Sequence, residues 1–516
     1  MSLPSASHVV LASTVVGAVY FAYRAITRAP SPGHLPPGPK PLPFLGNALQ
    51  MPTSNQPQTF REWASVYGDI VYVRIFGQPM VIIDSLQAAR DLLDKRSSIY
   101  SDRPRFVLFS ELMGWHSAST HVRYGPRFRK HRRFINQMFN SRAVSAFLPL
   151  QQKERLTVME GLLVSPDAFL DHFRRYAAAT ILKITYGHEV HSVDDQFIHL
   201  AERAATLTVQ SGSPAATLVD FFPALRHIPT WAPFVSFKKQ ALETREAVDA
   251  MMAVPYELVK SEMKTGVAIP SYTSSLLESR ANPLDGSVLP EDEEDIRGSA
   301  GTLYAAAEDT TVAYLHTFVL AMVLHPEVLK KAQAEMDRVV GNHRLPTMED
   351  QESLPYFECV LKEVLRWNPV VPLGMPHRLM EDDYYRDFVI PKNSTVLVNI
   401  YSILQDCANS DKFYPERYLE DESLPDPKNI IFGFGRRICP GRFLADSTVF
   451  LTLAALTALF DISPACDSEG NPTMPEIEYA VGFVSHPKHF NCSIKPRSES
   501  VLSLIKDSKL EHPSVQ

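Results

Sequence analysis

Cysteine is scarce here and never paired. The 516 residues hold five, Cys359, Cys407, Cys439, Cys466 and Cys492, odd in number, widely spaced and without a Cys-x-x-Cys. That excludes a disulfide framework and a zinc site of ordinary ligand spacing, and points to a reducing compartment. A surplus of one charge is missing too: 51 basic residues face 58 acidic ones, a net charge of −7, so bulk electrostatics favour no nucleic-acid partner. Gly-x-Gly-x-x-Gly is absent, and with it the fingerprint of a dinucleotide or flavin domain. There is no internal repeat. What is abundant is proline, 40 residues against 22 glycines, which implies many stiff turns. Hydrophobic residues at 45% and charged residues at 21% are the proportions of a globular chain with a large core.

Long apolar runs are few. Val9 to Tyr23 is uncharged and mostly apolar, barely approaching the ~20 residues that span a bilayer. Arg24 and Arg28 follow the run instead of preceding it, which disfavours a cleaved signal peptide and keeps the downstream chain cytosolic. Residues 1–28 read as an uncleaved transmembrane anchor, with a short amphipathic or cleaved leader as the rival. The proline-rich stretch at 29–47 cannot continue a helix and reads as an extended hinge. A catalytic domain over 48–497 and a polar, frayed tail over 498–516 complete the expected organisation. Ile70–Ile75 and Pro79–Ile83, rich in β-branched residues around Gly77, predict a hairpin. Residues 120–285 are dominated by helical patterns.

Ala300 to Leu324 predicts a helix long enough to cross a domain, with the acidic run Glu291–Asp295 placed just before it to complement its dipole. Glu308, Asp309 and His316 inside the run argue against a second membrane span. Ala306 and Thr310, four apart, share one helix face, and an acid beside a hydroxyl in an apolar helix can relay protons. Glu363 and Arg366 have the spacing of an ion pair on one face.

The most informative stretch is Phe432-Gly433-Phe434-Gly435-Arg436-Arg437-Ile438-Cys439-Pro440-Gly441. Pro440 suits a first helical position, which places Cys439 at a helix N-terminus, where free N–H groups favour a thiolate. Alone, Cys439 would read as a small buried apolar residue. Phe432, Gly435, Arg437, Cys439 and Gly441, however, fill every fixed position of Phe-x-x-Gly-x-Arg-x-Cys-x-Gly, and this resembles the heme-thiolate loop of the cytochrome P450 family.

Other stretches resemble the same family in the same order. Phe128-Arg129-x-x-Arg132 is similar to its Trp-Arg helix, with Phe for Trp. Ala306-Ala307-Glu308-Asp309-Thr310-Thr311 is similar to its oxygen-activation motif, with Ala307 where glycine is usual. Glu363 and Arg366 followed by Pro376-His377-Arg378 and Pro415-Glu416-Arg417-Tyr418 complete the series. The resemblance implies the cytochrome P450 fold, mainly α with small β-sheets. It implies heme b ligated by Cys439 and bound with Arg437, Arg132, Arg378, Phe432, Gly441 and Ala306. Asp309 and Thr310 would deliver protons, and Glu363, Arg366 and Arg417 would form a buried structural network. It further implies a monooxygenase in the endoplasmic reticulum membrane that uses dioxygen and an NADPH-dependent reductase. The substrate would be a hydrophobic small molecule, a fungal terpenoid first and an aromatic or indolic compound as the other choice, met by the loop before Met113-Gly114-Trp115, Ala306, Val370-Val371 and Gly482-Phe483-Val484. The remaining basic residues of 124–133 could dock the reductase. Between Asp406 and Phe413 the chain is about three residues shorter than the resemblance leads one to expect. Two alternatives stay open: a heme-thiolate isomerase or dehydratase working without reductase, and a non-catalytic heme-binding chain.

Overall fold

The computed structural model describes residues 34–211, 217–232, 235–480 and 482–511; the expected anchor at 1–28 lies outside them. The helices that build the site are α1 (Gln56–Tyr67), α2 (Pro126–Phe139), α3 (Leu148–Val164), α4 (Phe169–Tyr186), α5 (Gln196–Gln210), α6 (Ser236–Thr265), α7 (Pro290–Leu324), α8 (Pro326–Val339), α9 (Pro355–Trp367), α10 (Arg442–Leu459) and α11 (Ser500–Glu511).

Helix α7 is the axis. It begins at Pro290, ten residues before the expected start, so Glu291, Asp292 and Glu293 form its first turn. Proline at the first helical position sacrifices no hydrogen bond, and acids there complement the dipole. Its second half, Val312 to Val323, is buried all round, which is how an apolar helix inside a large domain reads. It packs on α4 and also meets α2, α6, α9 and α10. Glu308 and His316 are accordingly buried within protein. Helix α10 is equally apolar and mostly buried.

Three small sheets lie beside the helices. The expected hairpin forms from β1 (Ile70–Ile75) and β2 (Gln78–Ile83), paired antiparallel with Ile70 opposite Ile83. Strand β6 (Thr395–Val398) runs parallel to β2, and β3 (His377–Arg378) closes that sheet. Strands β4 (Asp383–Tyr385) and β5 (Phe388–Ile390) form a second hairpin; β7 (Phe460–Cys466), flanked by β8 (Pro472–Thr473) and β9 (Cys492–Pro496), makes the third sheet.

The end of the chain departs from expectation. Residues 500–511 form α11 instead of a frayed tail, packing on α3. Val501 and Ile505 lie one helical turn apart and both enter the main core. Burying two such side chains stabilises by ~1.5–3 kcal/mol each, and Leu504 packs partly buried beside them. Lys509 pairs with Glu160 of α3.

Candidate active site

Cys439 follows a short 3₁₀ turn, Gly435–Arg437. Gly435 has φ +57°, and a Cβ there would fall 1.9 Å from the Leu93 carbonyl oxygen, so only glycine lets the loop seat against that backbone. The Cys439 N–H donates to the Phe432 carbonyl at 2.8 Å, closing the loop. Helix α10 starts at Arg442 with Gly441 as its N-cap, two residues later than Pro440 predicted. The consequence for the sulfur is the same. It accepts from the backbone N–H groups of Gly441 and Arg442, and Arg132 and Arg442 add positive charge. Burial alone pushes the thiol up, and these groups oppose it. A sulfur so cradled fits a metal-bound thiolate.

Beside it lies a cluster of cations, Arg103 buried and Arg132 and Arg437 half-buried, that pair with no carboxylate among the described residues. Arg103 donates only to the carbonyls of Thr120, Met375 and Pro376. Arg437 donates to those of Ser101, Ser119 and Val122, and Arg132 to that of Ile438. None of the three has a carboxylate partner among the described residues. Burial pushes Arg103 down to about 9, and burial reinforced by Arg103 pushes Arg437 down to about 8. His121 and His377 stand in the same field. Burial, then Arg103, pushes His121 down to about 3 and His377 well below the usual imidazole range. The His121 Nε2 is buried without a partner. Uncompensated buried guanidinium groups are costly, and the two propionates of a heme are the anions such a cluster fits.

Three residues that the sequence did not single out thus belong here: Arg103, His121 and His377. Arg378, the expected neighbour of a propionate, instead donates to Asp102 and Asn393. Successive residues of a strand face opposite ways, so in β3 His377 enters the cluster and Arg378 leaves it. Arg103 carried no local signal, because two of its three acceptors, Met375 and Pro376, lie some 270 residues on.

Across the fold, α7 passes Ala306 and Thr310. Ala306 is exposed and Ala305, Ala307, Asp309 and Thr310 are partly so, although both flanks of the helix are buried, so the helix borders an open space there. Leu444 of α10 packs in the same apolar cluster as Ala300, Leu303, Ala305 and Ala307, which joins the cysteine end to this stretch. The Thr310 hydroxyl donates back to the Ala306 carbonyl at 2.8 Å, and the helix is continuous through Ala307. Asp309 turns to His486, 2.7 Å away. Glu308 is buried, and burial followed by the neighbouring Asp309 pushes its carboxyl up to about 8.

A cavity of about 700 Å³ does not include Cys439 or Thr310 in its lining. It lies between α1, the first sheet and the 477–488 segment, with Met80, Leu397, Tyr479 and Phe483 among its walls. Met113 and Trp115 are instead buried in the apolar cluster that also holds Leu303 and Tyr304.

The Glu363 network is assembled. Glu363, fully buried, accepts from Arg366 at 2.8 and 2.9 Å and from Arg417 at 3.1 Å. The shortened 407–412 segment folds over it. Arg366 donates to the carbonyls of Ser410 and Lys412, and Arg417 to those of Ala408, Asn409 and Lys412 and to the Cys407 sulfur. The loop's length therefore leaves these guanidinium groups satisfied. In the basic stretch, Arg127 and Lys130 are taken up by Asp292, Glu294 and Asp295 of α7, so Arg129 and Arg133 are the exposed charges left for a partner.

The family model described as Cytochrome P450 matches residues 36–494. The chain is 42% identical over 504 residues to cytochrome P450 monooxygenase 176 of Postia placenta, covering 96% of both chains. It is 43% identical over 491 residues to cytochrome P450 monooxygenase claR of Ampulloclitocybe clavipes, covering 93% of this chain and 90% of that one. With eriC of Hericium erinaceus, also a cytochrome P450 monooxygenase, it shares 37% over 508 residues, 96% of this chain and 97% of that one. A cysteine cradled for a metal, cations waiting for two carboxylates and a match over nearly the whole length agree: the chain belongs to the cytochrome P450 family and is a heme-thiolate monooxygenase.

Proposed function

We propose that this enzyme oxidises a hydrophobic small molecule of fungal secondary metabolism, a terpenoid being the class to try first. The observation that carries the reading is the pairing of the Cys439 cradle with three arginines that lack a carboxylate partner among the described residues, buried Arg103 and half-buried Arg132 and Arg437. Heme held there supplies the iron at which dioxygen is reduced and one oxygen atom is passed to a substrate C–H bond. The chain's part is to hold and orient. Gly441 and Arg442 N–H groups fix the sulfur. The arginines neutralise the propionates, with His121 and His377 as further donors. Thr310 and Asp309 hold protons at Oγ1 and at the carboxylate on the substrate side.

Phe483, Leu397 and Met80 give the 700 Å³ cavity an apolar side beside polar residues such as Asn368 and Gln405, and this cavity serves as the substrate's entrance. The fungal setting is supported by the origin of the relatives. Electrons come from a separate NADPH-dependent reductase, docked over Arg129 and Arg133 at the endoplasmic reticulum membrane, with residues 1–28 as anchor. The test is to incubate the full-length enzyme with reductase, NADPH and a panel of sesquiterpenes, diterpenes and indoles, following products by mass. Gain of one oxygen that depends on NADPH supports the reading. Product formed without NADPH or reductase would instead support a heme-thiolate isomerase.

A further inference from the structure

We propose that His486 is the residue that supplies protons to Asp309, and so feeds the proton relay from the side of α7 facing the 478–490 segment. The inference rests on the monooxygenase reading above and adds a residue to it.

A carboxylate only accepts, so an imidazole nitrogen 2.7 Å from Asp309 Oδ1 must carry the hydrogen. Nε2 of His486 is therefore a donor aimed at the acid that precedes Thr310. Both groups are partly open, with side-chain exposures of 28% for His486 and 39% for Asp309. The imidazole can thus regain from water the proton it passes on.

The segment around His486 is pinned. The Ser485 N–H donates to the Val370 carbonyl at 2.9 Å, and its hydroxyl donates to Asn368 Oδ1 at 2.9 Å. The Ala480 N–H donates to the His486 carbonyl at 2.8 Å, and Tyr479 bridges Pro487. The ring is thus presented by backbone held on both sides, which is what positioning a proton donor requires.

The neighbouring ionisable groups do not compete for this role. Glu308 is buried and held neutral, and His316 is neutral because burial, then His486, pushes it down to about 3. Arg174 of α4 reaches toward Glu202 of α5, and Lys488 is held by Glu478; His489 is exposed on the same segment. Among the described residues, His486 is the one side chain paired with the Ala306–Thr311 stretch by charge. In each step the Nε2–H bond breaks and an O–H bond forms on Asp309. The carboxyl passes that proton toward Thr310, and solvent restores the imidazolium. The electrons are those of NADPH, which the established activity already uses.

The experiment needs no substrate. Full-length wild type, His486→Phe, His486→Gln and Asp309→Asn are each reconstituted with reductase and NADPH. The fraction of NADPH electrons released as hydrogen peroxide is followed from about pH 6 to about pH 7.5, below the value near 8 at which Glu308 ionises. Starved of protons, a relay releases peroxide instead of completing reduction to water. His486→Phe should raise the peroxide fraction several-fold and flatten its pH dependence, with the thiolate spectrum of the carbon monoxide complex unchanged. His486→Gln keeps a donor that does not titrate, so it should lose the pH dependence while raising peroxide less. If Asp309→Asn raises peroxide but His486→Phe matches wild type at every pH, the role of His486 is overturned and the relay stands. If Asp309→Asn also matches wild type, the relay itself falls, and His486 with it.

Discussion

Arg437 lies over the face of Phe128, its guanidinium carbon 3.6 Å from the ring centroid. Phe128 stands where the resemblance leads one to expect tryptophan, so here a π face, in place of an indole N–H, meets the loop that carries Cys439. Arg437 is the most strongly depressed arginine of the anion-seeking cluster, and Phe128 is nearly fully buried. Phe128→Ala should cost ~3–5 kcal/mol as a large-to-small core change and loosen Arg437. Phe128→Leu, which keeps most of the volume, should lose mainly the cation–π share, ~0.5–2 kcal/mol. Unfolding midpoints and heme retention on dilution should fall in the order wild type, Leu, Ala. Equal retention in all three would mean that the ring does not hold Arg437.

Removing Glu363 should be severe for a different reason. Arg366 and Arg417 are 2% and 5% exposed, and without the carboxylate both charges stay buried and unpaired, at a cost of ~3–5 kcal/mol. Glu363→Ala should therefore give little heme-bound protein. The Glu363→Ala/Arg417→Ala double variant should lose less than the two single losses added together. Denaturant unfolding of the three variants measures the coupling, and strict additivity would show that the network does not act as a unit.

Glu308 gives a pH signature with a definite sign. Its folded-state pKa of about 8 stands above the 4.5 of a free side chain, so between those values the folded state binds more protons than the unfolded one, and stability falls as pH rises. His316 and His121, both pushed down to about 3, act in the opposite direction, but only below the ordinary imidazole pKa of ~6.5. From about pH 6.5 to about pH 8 the Glu308 contribution therefore stands clear of them. Glu308→Gln should remove that part of the slope and raise the unfolding midpoint at pH 8 more than at pH 6.5, as thermal unfolding at the two pH values would show. An unchanged slope would mean that Glu308 is ionised in the folded protein.

What could be read from the sequence was what lies close together along it. The Cys439 loop is a ten-residue stretch, and the Glu363–Arg366 pair is one helical turn. The Asp309-Thr310 pair sits on a run whose periodicity shows a buried helix. What could not be read depended on distant segments. Arg103 becomes part of the site because the 375–376 backbone closes over it. His377 and Arg378 are neighbours whose fates differ through strand alternation. Arg127 and Lys130 read as docking charges until α7, starting early, brings Asp292 and Asp295 against them. Val501 and Ile505 are two of five apolar residues in a stretch that also holds seven polar ones, and only the facing core singles them out.

The most direct test of the central claim is the carbon monoxide difference spectrum of the reduced full-length protein, with Cys439→Ala alongside. The account predicts the strongly red-shifted Soret band of thiolate ligation in wild type and its loss in Cys439→Ala. A histidine-type band in wild type, or a red-shifted band that survives in Cys439→Ala, would contradict the assignment of Cys439 as the iron ligand.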